Sequence, residues 1–137
     1  MDLRTRIETS FDRQTMMETF GARLDDVAQG AVTLSAPILP GSRQQQGFAH
    51  AALTFGLGDS AAGYAALTTI PEDQEVVTAE IKINLTAPAT GDRIVARGRV
   101  IKPGRRLIVV TSEVVSIADG NETLVAILQG TMVPVKA

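Results

Sequence analysis

Residues 48–67 read FAHAALTFGLGDSAAGYAAL, and this stretch decides the fold. Small and apolar residues at helical spacing over about 20 positions predict one long helix, roughly 30 Å at most. Asp59 is its one residue charged at neutral pH. On a helical wheel Ala52, Gly56, Asp59 and Gly63 share one face, while Leu53, Leu57, Ser60, Tyr64 and Leu67 share another. An ionised carboxylate in a helix of such apolar character must find partners or shift its pKa, and groups of that kind concentrate at functional sites. The bland alternative places Asp59 at the solvent edge of an amphipathic helix, and the residues alone leave both readings open. Each helix-interior glycine costs about 1 kcal/mol against alanine, so Gly56, Gly58 and Gly63 call for close approach by backbone, partner chain or ligand.

Working outward, Asp12–Phe20 reads as a short helix capped by Asp12 and ended by Gly21. Ala22–Ala28 and Ala31–Ile38 form a hairpin around Gln29-Gly30, and Gly41–Gly47 (GSRQQQG) reads as a loop. Beyond Pro71, Val77, Ala79, Ile81, Ile83 and Leu85 alternate with Thr78, Glu80, Lys82 and Asn84, which predicts a half-buried strand. Ile94–Lys102, Leu107–Ile117 and Thr123–Val133 follow as strands separated by Pro103-Gly104 and Asp119-Gly120, so four consecutive strands suggest an antiparallel meander. The order fits an α+β domain with one sheet packed against one central helix.

The chain has 137 residues, the length of a single domain, with 45% hydrophobic and 20% charged residues, which excludes a disordered protein. A net charge of −2 gives no basic footprint for nucleic acid, and with 0 Trp, 1 Tyr and 4 Phe stacking platforms are scarce. With 0 Cys and 1 His there is no thiolate metal site, no cysteine nucleophile and little for any other metal. Met1 to Glu8 lacks the apolar core of a secretory signal and no stretch suits a membrane span, so a cytoplasmic protein with no membrane partner is expected.

Two motif matches fail on context. Gly56, Gly58 and Ala61 satisfy G-x-G-x-x-G/A with Glu80 downstream, but no strand precedes Gly56. Gly58-Asp59-Ser60-Ala61-Ala62 misses G-x-S-x-G at its last position and lies inside a helix, which leaves a Ser60 and His50 dyad weak. His50 stands at the helix start, where free N–H groups favour negative charge, and Ala51 N–H there could polarise a carbonyl. A structural histidine bonded to the loop is the plainer reading of His50. Lys102, Arg105 and Arg106, with Arg97 and Arg99 upstream, form a basic concentration suited either to phosphates or to a solvated hairpin tip.

QQQGFAHAALTFGLGDSAAGYAAL (44–67), VVTAEIKINLTAPATGD (76–92) and RGRVIKPGRRL (97–107), in that order and spacing, resemble the PaaI-like acyl-CoA thioesterases of the hotdog superfamily. The resemblance spans nearly the whole chain. It implies a hotdog fold, an antiparallel sheet wrapped around one long helix, paired into a homodimer that often doubles to a homotetramer with sites at the dimer interface. It implies that Asp59 acts on water as a general base or serves as nucleophile, that Gln44 orients water or substrate, and that Thr78 supplies a hydroxyl beside it. His50 and Ala51 match a His-Gly pair whose second N–H polarises the thioester carbonyl, and Gly47 matches the glycine three residues before the histidine. Ala51 departs from the glycine of many relatives, which keeps the N–H and narrows the space. Lys102, Arg105 and Arg106 fall where relatives contact coenzyme A phosphates. No metal and no cofactor is implied beyond the coenzyme A of the acyl-CoA substrate. The other readings are a hotdog module that binds acyl-CoA without turnover and, less well matched for want of a proline-rich loop before the histidine, a dehydratase.

Overall fold

In the computed structural model, which describes residues 1–137, Asp2 caps helix α1 (Leu3–Arg13) by accepting a 2.8 Å hydrogen bond from the Thr5 N–H. The expected helix at Asp12–Phe20 is thereby corrected. Asp12 sits in the last turn of α1, and a second helix, α2 (Thr15–Phe20), begins after the extended residue Gln14. Gly21 ends α2 in the left-handed region at φ 69°, as its position in the sequence suggests. Strands β1 (Arg23–Ala28) and β2 (Ala31–Pro37) form the expected hairpin, with Gly30 at φ 75° in its turn. A short 3-10 turn at Pro40–Ser42 leads into the loop before α3 (Ala51–Leu67), which starts three residues later than its apolar run because His50 is its cap.

Strands β3 (Gln74–Leu85), β4 (Arg93–Lys102), β5 (Ile108–Ala118) and β6 (Asn121–Lys136) complete one antiparallel sheet in the order β1-β2-β4-β5-β6-β3. The expected meander of four strands holds only for β4, β5 and β6. β3 lies on the far side of β6, and β2 takes the edge of β4 that β3 was expected to fill. Alternation marks a strand without naming its neighbour, so residue pattern could not distinguish the two orders.

Apolar nearly all round, α3 buries ten residues against the sheet. Two glycines set how closely it lies. A Cβ on Gly98 of β4 would stand 2.3 Å from the backbone C and O of Ala61, and one on Gly58 would meet Leu128 at 2.8 Å. Helix backbone therefore rests directly on β4, and the fold matches the expected hotdog arrangement of one helix within a wrapped sheet.

The C-terminal end of α3 is tied down by Arg6 of α1. Its guanidinium donates to the carbonyls of Leu67 (3.1 Å), Ile70 (2.6 Å), Pro71 (2.7 Å) and Gln74 (3.0 Å). A cation on the negative end of a helix that also satisfies four carbonyls has few substitutes. Arg6→Ala is expected to cost about 3 kcal/mol and lower Tm by about 10 °C in thermal denaturation, with Arg6→Lys recovering only part. An unchanged Tm would show the clamp to be energetically idle.

β3 differs from strict alternation in a way that matters for the site. Its register against β6 shifts between Thr78 and Glu80. Before the shift Val76 packs on the core, and after it Ile81 and Ile83 do. Strict alternation would have sent Val77 inward and Thr78 outward, whereas Val77 is 50% exposed and the Thr78 hydroxyl reaches α3. The bulge switches which residues of β3 face inward, even-numbered ones before it and odd-numbered ones after it.

β3 is also an edge strand of 12 residues. The opposite edge, β1, has 6 residues, an irregular register and the charges of Arg23, Asp25 and Asp26. Such features blunt an edge, and β3 has the length to template another strand.

Candidate active site

Asp59 points from α3 toward β3, where the Thr78 hydroxyl donates to its Oδ1 at 2.8 Å. The same hydroxyl lies 3.3 Å from Met132 Sδ. None of the ion pairs in the chain, Met1 N-terminus to Glu72, Arg4 to Glu8 and Arg97 to Glu122, involves Asp59. Half-buried and without a cation, the carboxyl is pushed above its ordinary value by desolvation, against a smaller lowering from the Thr78 hydrogen bond. It stands at a cavity of about 410 Å³. Gly63 widens this cavity, since the nearest atom to a Cβ there would be Met132 Cε at 3.9 Å. Of the three helix glycines, Gly58 and Gly56 serve close packing, Gly56 beneath the ring of Phe20, and Gly63 serves space.

The start of α3 presents a single free backbone donor. His50 Nδ1 accepts from Ala52 N–H at 2.8 Å, which places the proton of the neutral ring on Nε2. The His50 carbonyl accepts from Leu53 (3.0 Å) and Thr54 (3.4 Å). Ala51 N–H has no acceptor in the chain, and Ala51 is exposed. His50 is thus the helix cap, a structural role as in its plainer reading, except that the ring bonds the helix start and only its backbone N–H, donating to the Ser42 carbonyl at 2.9 Å, reaches the loop.

The preceding loop is held from several sides. Arg43 donates to the carbonyls of Gly47 (2.7 Å) and Ile38 (2.8 Å), and Gly47 turns at φ 90°. Gln44 Oε1 accepts from the backbone N–H groups of Gln46 (2.6 Å) and Phe48 (3.2 Å). With its carbonyl pinned, Gln44 presents its amide N–H₂ outward, where one contact reaches Gln46 Oε1 at 3.3 Å. Gln44, His50 and Ala51 border a second cavity of about 570 Å³, with Phe48, Leu85 and Pro88 among its walls.

The residues singled out in the sequence therefore form three groups. Asp59 and Thr78 meet; Gln44, Gly47, His50 and Ala51 belong to the loop and helix start; Lys102, Arg105 and Arg106 stand exposed on the β4–β5 turn. Arg97, upstream of that turn, is engaged with Glu122 at 2.6 Å, which raises its pKa. Ala51 and Asp59 are eight residues apart on one helix, about 12 Å of rise. That separation sets the two groups on different cavities of one chain. Ser60 and His50, about 15 Å apart by the same measure, form no dyad, and Ser60 Oγ instead donates to Gln14 Oε1 at 3.2 Å.

Sequence reading missed Ser10 and Gln14, which reach the Asp59 cavity from the end of α1. A signal was there: Asp2 directly before Leu3, Ile7 and Phe11 at i, i+4 spacing has the form of a capped helix.

The model of the thioesterase superfamily matches residues 46–122. A protein of Saccharolobus solfataricus with a provisional esterase name is 38% identical over 87 residues, 64% of this chain and 55% of its own length. The matched part thus spans little more than half of that curated relative. A crystal structure of a thioesterase family protein from Silicibacter pomeroyi is 38% identical with a TM-score of 0.97, covering 99% of this chain and 100% of that one. The E. coli PaaI protein of the phenylacetic acid degradation operon shares the fold, with a TM-score of 0.88 at 17% identity over 98% of this chain and 94% of its own.

Proposed function

Because this chain belongs to the thioesterase superfamily, we propose that it hydrolyses an acyl-CoA thioester to a carboxylic acid and coenzyme A, at a site completed by a second copy of the chain. The observation that carries this reading is the separation on α3 of an unpaired carboxylate, Asp59, from an unclaimed donor, Ala51 N–H. A two-fold pairing along the free edge of β3, where Leu85 is 55% and Val77 50% exposed, would bring Asp59 of one protomer toward Ala51 and Gln44 of its partner.

In that arrangement the carbonyl oxygen of the thioester lies against Ala51 N–H, and water held by Gln44 N–H₂ and the Thr78 hydroxyl faces the carbonyl carbon. Asp59 takes a proton from the water as its oxygen bonds to carbon. The tetrahedral intermediate carries its charge on the oxygen held by Ala51, where a fixed helix-start donor stabilises it. Collapse breaks the carbon–sulfur bond, and the departing thiolate takes the proton from Asp59. His50 and Gly47 shape the start of the helix, and Lys102, Arg105 and Arg106 meet the coenzyme A phosphates.

Thiol release over a panel of acyl-CoA esters tests the proposal directly. Turnover above background supports it, while binding without release favours a non-catalytic acyl-CoA module. Arg105→Ala with Arg106→Ala is expected to raise KM for coenzyme A esters about tenfold, and for short thioesters lacking the nucleotide hardly at all. Equal effects on the two substrate types would remove the phosphate contact.

A further inference from the structure

The cavity beside Asp59 ends in a hydrogen-bond network that no step above uses. Ser60 Oγ donates to Gln14 Oε1 (3.2 Å), Gln14 Nε2 donates to Tyr64 Oη (2.9 Å), and Ser10 Oγ lies 3.3 Å from the same Oη. Tyr64 is only 7% exposed, its ring tilted against Phe11. Counting protons exposes a surplus. Ser10 and Tyr64 each own one hydroxyl proton and share one contact, so whichever donates there, the other proton has no acceptor in the network. Gln14 likewise keeps one amide hydrogen unspent. Tyr64 is buried while Ser10 and Gln14 are half-buried, and a ligand filling the cavity they line must either meet these spare donors or leave them costly and unpaired.

Tyr64 lies five residues beyond Asp59 on α3, about 7.5 Å of rise. A thioester whose carbonyl carbon faces Asp59 must send its acyl group into this cavity, since the coenzyme A nucleotide is too large for it and has to reach solvent. Arg13 and Glu75 also border the cavity and neither is in an ion pair, so their opposite charges give no bias toward a charged acyl group.

We propose that this cavity selects acyl groups bearing a neutral oxygen, a hydroxyl or keto group, beyond the thioester carbonyl, and that Tyr64, Gln14 and Ser10 read that oxygen. The inference rests on the thioesterase reading for its substrate class. A plain hydrocarbon tail leaves the spare donors dry and unpaired, whereas a distal oxygen accepts from them, and sites built to bond an oxygen discriminate strongly against its absence.

The test compares hexanoyl-CoA, 6-hydroxyhexanoyl-CoA and adipoyl-CoA by kcat/KM in the intact protein, and by Kd in Asp59→Asn. The hydroxylated ester is expected to be favoured about tenfold over each of the others, with the ratio falling to about two in both Tyr64→Phe and Gln14→Leu. The second variant guards against poor folding of the first. A ratio below about five, or one that survives both variants, overturns the assignment. If no ester releases thiol, the hydrolytic reading fails by itself and the Kd ratios still decide the selectivity.

Discussion

Asp59→Asn is expected to lower kcat by roughly 10²–10⁴ while leaving the protein more heat-stable than before. The loss follows if Asp59 is, as proposed, the group that takes a proton from water, and the isosteric amide keeps the Thr78 hydrogen bond. The gain follows from the direction of the Asp59 pKa, which burial raises above 3.8. Below about 3.8 the carboxyl is protonated in folded and unfolded chains alike, and its titration contributes nothing to the difference. As pH rises through the window between the unfolded and the raised folded value, the unfolded chain ionises first and stability falls. Above that window the full penalty is present. The Tm advantage of Asn over Asp is therefore largest at neutral pH and vanishes in acid. Activity runs the other way, since the base must be ionised: kcat/KM should decline on acidification with a midpoint above that of a free aspartate. Calorimetry across pH and a thiol-release profile check the two halves separately. Full turnover in the variant would end the role of Asp59.

Ala51→Pro is expected to lower kcat and kcat/KM together by about 10²–10³, the signature of an interaction made only in the transition state. The substitution deletes the Ala51 N–H and little else. Proline is favoured at the first helical position, and His50 before it already lies at φ −64°, ψ 144°, the extended region a following proline requires. Ala51→Gly, which keeps the donor, should stay within a few-fold of the parent. The two variants also test how the site is shared. Co-refolded Asp59→Asn and Ala51→Pro chains give half mixed dimers, each with one intact pair of groups, so about a quarter of parental activity should return. Silence in the mixture, with dimers present, would place both groups in one chain's site.

Much of this was legible in the residues. Phe48–Leu67 carried the central helix because a run of small apolar residues with one acid has few other uses, and Gly21 and Gly30 marked a helix end and a hairpin turn by the backbone freedom those places need. Hidden features were those that depend on neighbours. The bulge between Thr78 and Glu80 inverts the inward face of half a strand, and alternation in the sequence runs through it undisturbed. The place of β3 beyond β6 is a pairing choice, not a propensity. Asp59 stood out as an isolated charge, but its partner Thr78 could be matched only through family resemblance. Gln14 and Tyr64, 50 positions apart, offered no local sign of their 2.9 Å contact.

The seat of α3 on Gly98 has a consequence for how such an enzyme can diversify. Main chain touching main chain leaves the rod no room to roll, so the bearing of the Asp59 carboxylate is fixed from the side of β4. The walls of the cavity beside it come instead in part from the α1 end and from β3. Under the proposed function, substitutions there retune which molecules enter while Asp59 keeps its heading, which makes chemistry and taste separately heritable.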